Sequence, residues 1–401
     1  MPTRMFFETP LNFVQYLIHL RNWGKFVCSV VMKKVTFTKR PAKGGAVQVH
    51  GTVVSLHNGL LLVSTGIPSL DSVLGGGVPL GSVFLLEEDV HTRFSTLLTK
   101  YFLAEGVTSG HGLYVASANA NPDVLLNALP KPTSMSSTRS SQQKNDNDMK
   151  IAFMYKDLPK NQSSLSGVSR YGHYYDISCN MDKSEVEKCD LKSLHLTDEI
   201  SYGEGKNDMF RYTLKHLKQC INNSRYEMKQ KNSGDQQLNV LRVVLPHFAS
   251  PLWCGDKPDN IHNIVRFLHC LRAVARNSMI ACLVTIPTHL YHENEVAMIR
   301  QLVDTSIELE AFVGEKNPVF KQYHGLLKIH KLPRLNSLVN FVPDSFDLAF
   351  ELKRTKFIIE YMHLPPDISE TASRQGMDET NDKLHPRSAC GGVSLNKKLD
   401  F

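Results

Sequence analysis

The chain has 401 residues, 42% of them hydrophobic, which is enough apolar material for a sizeable core and too long for one average domain of roughly 100–200 residues without insertions or tails. A formal net charge of +7 weakly suits an acidic partner such as RNA, but on charge alone an ordinary basic surface is the preferred reading. No run of about 18 apolar residues is free of charge, which argues against a membrane-spanning helix. The eight cysteines are scattered without CxxC or Cys/His spacing, which argues against a zinc site or a disulfide framework and for reduced thiols in the cytoplasm or nucleus.

Residues 1–46 are expected to be an N-terminal extension outside the fold. Their apolar stretch, 6–32, is interrupted by Glu8, Arg21 and Lys25, and residues 1–70 hold eight Lys/Arg against one acid, Glu8. Three readings fit: a transit-like leader, a peripheral amphipathic helix near 11–20, or an upstream extension with the functional start at Met32. The last is preferred, because Met32 opens a short basic lead (Lys33, Lys34, Lys39, Arg40) directly before the globular pattern.

The α/β pattern runs from residue 47 to 364. Residues 59–64 read as a short buried strand. Leu70, Val73 and Leu74 mark one side of a helical turn over 67–74, which the three glycines at 75–77 stop. A turn at 78–81, a buried strand at 82–86, a loop at 87–92, a helix at 94–105 and a strand at 112–118 make a βαβ unit, and so a parallel sheet. Residues 131–149 hold seven Ser/Thr and no aromatic ring, and 180–237 are polar apart from a helix at 208–220; both are read as flexible insertions. The core resumes with a strand at 239–245, a helix at 261–277 and a strand at 278–286. Further strands are expected at 305–312 and 324–330, and a hairpin at 346–361 turns at Lys353-Arg354-Thr355-Lys356. Residues 365–401 read as a tail.

Strand, turn and helix follow in the order of a phosphate-binding P-loop, in which glycine-rich backbone and a lysine hold phosphate at a helix N-terminus. Laying GxxxxGK(S/T) on 88–95 puts Glu88 and Arg93 at the glycines, Phe94 at the lysine and Ser95 at the hydroxyl position; only the serine survives. Glu87, Glu88 and Asp89 crowd the turn and should repel phosphate. They read as a solvated acidic loop at a helix N-terminus, with a magnesium cluster as the alternative. The strand at 239–245 runs into Pro246 and His247 where a Walker B aspartate would stand. No bound cofactor or metal is expected.

The segment STGIPSLDSVLGGG at 64–77 resembles the entry segment of RecA/KaiC-like ATPases. Followed by a degenerate P-loop, it is similar to the PAXNEB family, the fourth-subunit family of Elongator. KYFLAEG at 100–106, VASA at 115–118, YGHYYD at 171–176, SPLW at 250–253, PTHL at 287–290, YHGL at 323–326, LPRLN at 332–336, LAF at 348–350, HLPPD at 363–367 and LDF at 399–401 extend the resemblance over about residues 50–401. It implies a RecA-like, mostly parallel sheet flanked by helices. It also implies a hexameric ring with two paralogous Elongator subunits (the fifth and sixth), tRNA binding by that ring, support of wobble-uridine modification by the rest of the complex, and no catalysis by this chain. An active RecA-like ATPase or recombinase, and a structural adaptor without RNA contact, are the competing readings.

Candidate RNA contacts are Lys328, Lys331, Arg334, Lys353, Arg354 and Lys356, on adjacent expected strands or their turns, with solvated charge as the alternative. Tyr171, His173, Tyr174 and Tyr175 stack on bases or, preferably, pack against a neighbouring subunit. Trp253 reads as a buried anchor and His289 as structural.

Overall fold

The computed structural model describes residues 49–55, 58–119, 121–133, 172–196, 209–222, 226–227, 238–254, 260–313, 322–337 and 341–362. The N-terminal extension with Met32, positions 134–149 and the tail from 365 lie outside them.

Chain order begins with β1 (Thr52–Val54), β2 (Leu61–Val63), α1 (Pro68–Val73) and β3 (Val78–Pro79). The three strands form a small antiparallel sheet in the order β1-β2-β3. Asp71 on α1 ties the preceding segment down: its Oδ2 accepts from the Ser64 hydroxyl at 2.5 Å, and its Oδ1 accepts from the Thr65 amide at 2.8 Å and hydroxyl at 2.7 Å. Burial pushes its carboxyl up to about 6. Gly75, Gly76 and Gly77 follow with φ of 81°, 115° and 126°, conformations that let the chain leave α1 without a Cβ clash.

The P-loop-like unit is β4 (Ser82–Glu87), α2 (Arg93–Thr108) and β5 (Gly112–Ser117). Next come α3 (Pro122–Leu126), β6 (Pro130–Thr133), β7 (Tyr174–Asn180), α4 (Lys183–Val186), β8 (Leu191–His195) and α5 (Met209–Asn222). The remainder is β9 (Leu241–Leu245), α6 (Pro251–Cys254), α7 (Asn260–Arg276), β10 (Ile280–Ile286), α8 (Glu293–Leu302), β11 (Thr305–Ala311), β12 (Gly325–Lys331), β13 (Leu348–Leu352) and β14 (Phe357–Tyr361).

The main sheet has nine strands in the order β14-β13-β12-β11-β4-β10-β9-β5-β8. From β11 to β8 the neighbours are all parallel, while β12, β13 and β14 form an antiparallel wing, the last two as the expected hairpin. The chain goes from β4 across to β5 and β8, then turns back through β9 and β10 and passes over β4 to β11. Right-handed crossovers therefore put α2 and α3 on one face and α5, α7 and α8 on the other. Alternation along the buried strands feeds both faces. Phe84 and Leu86 of β4 join Leu98 and Phe102 of α2, whereas Val83 and Leu85 join Leu214 of α5 and Ile264 of α7.

Two features depart from expectation. The polar segment 180–237, expected as an insertion, supplies the edge strand β8, paired in parallel with β5, and the helix expected within it is α5, which buries Phe210, Leu214, Leu217 and Ile221. Position 242, inside an apolar-looking strand, places a guanidinium in the core. Its Nε donates to His111 Nδ1 at 3.1 Å, and its Nη1 donates to the carbonyls of Ser64 at 2.8 Å and Phe102 at 3.0 Å. The Arg242 guanidinium also lies 4.5 Å from the Phe102 ring centre, and burial pushes His111 down to about 3.

Candidate functional site

Strand β4 delivers Glu87, Glu88 and Asp89 to its C-terminal edge, where a nucleotide-binding member of this architecture would hold phosphate. The expected solvated acidic loop is corrected here: the three side chains are 0%, 4% and 1% exposed, and each has its own partners. Glu87 takes the Arg300 guanidinium of α8 in a two-point pair, 2.7 Å at both oxygens, and a 2.8 Å bond from the Ser306 hydroxyl. This pairing holds the Arg300 guanidinium above its ordinary value. Glu88 accepts from the Thr285 hydroxyl and lies 3.0 Å from His247 Nδ1. That contact raises the imidazole above its usual range.

Asp89 does something different. Its Oδ2 accepts from the Arg93 amide at 3.0 Å, and its Oδ1 accepts from the amides of Phe94 at 3.2 Å and Ser95 at 3.0 Å. These are the first amides of α2, the groups that a P-loop offers to phosphate, so the carboxylate stands in the anion's place. Thr92, with φ of 54°, makes the left-handed turn into the helix. A β-branched residue there is strained, and the three amide bonds to Asp89 hold it.

The neighbouring positions fit a nucleotide no better. Phe94, at the lysine position, is 5% exposed and packs 4.7 Å from the Phe350 ring and 6.4 Å from Phe357, on the β13–β14 hairpin. Ser95 Oγ, at the hydroxyl position, is buried without a hydrogen-bond partner among the described residues. Arg93 is exposed. The magnesium alternative fails for the acid triplet, because each carboxylate is already engaged by the partners named above. Glu87 also lies beside Glu308 and His330 in a set with metal-ligand spacing, but both of its oxygens are taken by Arg300.

The candidate RNA contacts do not form one patch. Ser306 pairs with Lys331 and Ala311 with Gly325, so β12 runs from the C-terminal edge of the parallel strands to their N-terminal edge. Lys353, Arg354 and Lys356 are exposed in the β13–β14 turn at the C-terminal edge, the edge that carries Asp89. Lys331 lies six residues along β12 from Gly325, about 20 Å away. It donates to the carbonyls of Arg300, Gln301 and Val303 at 3.3, 2.9 and 2.6 Å, closing the C-terminus of α8. Lys328 is paired with Glu310 at 2.6 Å, Lys353 with Glu351 at 3.0 Å, and Arg334 is exposed.

Within the aromatic run, Tyr175 and His173 are engaged by their own chain. Tyr175 is buried, and its hydroxyl donates to Glu105 Oε2 at 2.7 Å, beside His173 Nδ1 at 3.1 Å from Oε1. Burial works to raise the Glu105 carboxyl, but His173 and Arg242 outweigh it and hold the group below its ordinary range. Tyr174 is half-buried, and Tyr171 lies outside the described residues. Trp253 is an anchor as expected, 2% exposed and 5.0 Å from Phe248, although on a short helix rather than a turn. His289 is exposed in a 3-10 turn after β10.

Sheet order, the β4–α2 junction and the carboxylate-filled helix terminus define an α/β protein with a mostly parallel central sheet and a degenerate P-loop. A family model described as PAXNEB protein matches residues 45–401. Similar curated proteins named Elongator complex protein 4 come from Homo sapiens (41% identity, 88% of this chain and 89% of that protein), Danio rerio (40%, 94% and 98%) and Xenopus laevis (39%, 91% and 95%). The chain belongs to the PAXNEB family. Among solved structures, a KaiC-like protein from Pyrococcus horikoshii OT3 aligns with 75% of this chain and 99% of its own length, at a TM-score of 0.41 and 12% identity. No helix among the described residues is long and apolar enough to cross a membrane.

Proposed function

We propose that this chain is a non-catalytic subunit of an Elongator complex. In this reading it joins two paralogous RecA-like subunits in a hexameric ring that binds tRNA and supports modification at the 5 position of the wobble uridine, in cytoplasm and nucleus. The observation that carries the non-catalytic part is the Asp89 carboxylate on the three leading amides of α2. A chain that supplies its own anion there has no use for nucleotide phosphate at that site. Membership of the complex rests on the family and on the names of the relatives. For RNA, the exposed 353–356 turn is the favoured contact among the candidates, because it places Arg354 and Lys356 together in solvent, whereas Lys331 is spent on α8 and Lys328 and Lys353 are paired with Glu310 and Glu351.

Two measurements test the reading. Co-expression with the two paralogous partners, followed by native mass spectrometry and quantitation of retained tRNA, is expected to give a mixed ring that holds tRNA only when all three are present. Calorimetric titration of the chain with Mg-ATP is expected to give no binding. A ring that excludes this chain, or micromolar Mg-ATP affinity abolished by changing residues 87–95, overturns the proposal in favour of an active ATPase. A ring whose tRNA retention is unchanged when this chain's basic turn is removed favours a purely structural adaptor.

A further inference from the structure

A cavity of about 190 Å³ opens between α2, α3 and the ends of β5, β9 and β10. Its wall takes Thr96, Thr99 and Lys100 from α2, just beyond the amides that Asp89 fills, and it borders the degenerate phosphate site through His247 and Thr285, the partners of Glu88. Strands β5 and β9 are neighbours, yet the chain leaves β5 toward α3 on one face and β9 toward α7 on the other. The crevice at the carboxyl ends of two such strands is where open α/β sheets take ligands.

The wall chemistry narrows the ligand. Leu125, Ala128 and Pro246 supply an apolar body, while Lys100 and His247 bring cationic nitrogens, and no lining residue is an acid. Glu88 holds His247 by Nδ1, which leaves Nε2 as the ring's remaining nitrogen and favours the charged ring. Lys100 is half-buried and forms no ion pair with any described carboxylate. The backbone of His247 is held at a φ of 50°, beside Ala249 at 62°. Strain of this kind in a cavity wall fixes where the side chain stands. A dry cavity of about 150 Å³ takes one benzene molecule, so this one accommodates a single ring with one small substituent.

We propose that this cavity is a binding site for a small ring-bearing carboxylate, its ring against Leu125, Ala128 and Pro246 and its carboxylate between Lys100 and His247. The test is a ligand-observed NMR titration of the full chain with benzoate, and with benzamide as the neutral isostere. Benzoate binds saturably, benzamide at least about tenfold more weakly, and Lys100→Met weakens benzoate by a similar factor without affecting benzamide. Ala128→Phe, which fills the cavity, removes both. The comparison of the two probes on the unaltered chain stands even if Ala128→Phe folds poorly. Equal affinity for benzoate and benzamide overturns the anionic assignment. Binding that survives Ala128→Phe in a folded variant overturns the location. No saturable binding of benzoate overturns the proposal entirely.

Discussion

Replacing Asp89 by alanine removes one carboxylate and strands the amides of Arg93, Phe94 and Ser95, now bonded at 3.0, 3.2 and 3.0 Å, where Asp89 is 1% exposed. Loss of an ordinary N-cap costs about 0.5–2 kcal/mol. Hydrogen bonds to an ionised acceptor are worth roughly 1.5–3 kcal/mol, and leaving donors buried adds to the loss. The three amides share one acceptor and the helix dipole acts through the same charge, so these contributions overlap rather than add. The net expectation is about 2–3 kcal/mol, with Asp89→Asn at roughly half, because its amide oxygen still accepts but carries no charge. Denaturant unfolding of the full chain reads this as a lower midpoint at unchanged slope. Sulfate supplies a second arm: it should bind the freed amides and raise the midpoint of Asp89→Ala, while scarcely moving the unaltered chain beyond its general salt effect. Midpoints for the two chains equivalent to within about 0.5 kcal/mol, or equal stabilisation of both by sulfate, would refute the assignment of Asp89 as a built-in anion.

Arg300→Met leaves Glu87 buried and unpaired and is expected to destabilise by about 3–5 kcal/mol, with Glu87→Gln in the same chain recovering part of it in a double-mutant cycle. His247 is raised by Glu88, so the stability it supplies is full below the unfolded value of about 6.5 and is lost as pH climbs through the higher folded value; His247→Gln should flatten that decline in a pH series of unfolding midpoints. His173, raised in the same way by Glu105, leaves a residual slope of the same sign. Gly106→Ala should destabilise despite alanine's better helix propensity, since its Cβ would stand 2.6 Å from Leu113 and 2.8 Å from Arg242; a raised thermal midpoint would contradict this. Replacing Lys353, Arg354 and Lys356 together by alanine should spare ring assembly and lower the log–log salt slope of tRNA binding by roughly 0.7–0.9 for each phosphate that the turn no longer neutralises; an unchanged slope would leave the turn as solvated charge.

Elements whose pattern is local were readable in the residues. Continuous apolar runs announced β4, β5 and β10, and the 3.6-residue spacing of Ile264, Leu268 and Leu271 announced α7. Strand β8 was not, because Leu-Lys-Ser-Leu-His at a sheet edge buries only Leu194 fully and looks like a polar loop. The acid triplet misled for a related reason. Three consecutive carboxylates resemble a solvated run, and the groups that neutralise Glu87 and Glu88 stand at His247, Thr285, Arg300 and Ser306, more than 150 positions away. Asp89 alone left a local trace, an acid just ahead of a helix start. The partners of Lys328 and Lys331 became visible only with the register of β11 against β12 and the end of α8 beside them.

The aromatic clasp formed by Phe94 with Phe350 and Phe357 bears on whether this chain could be given a phosphate-binding loop. Putting lysine at 94 would sink an ammonium among rings, and putting glycine at 88 would orphan His247 and Thr285. Glycine at 93 alone would leave Asp89 seated on the helix. Each change is penalised until the others have been made, and the first of them loosens the hairpin that carries the exposed cations. The loop is thus braced by its own replacements: the side chains that stand where a phosphate site would be support one another, and a transplanted P-loop would have to arrive with a new hairpin.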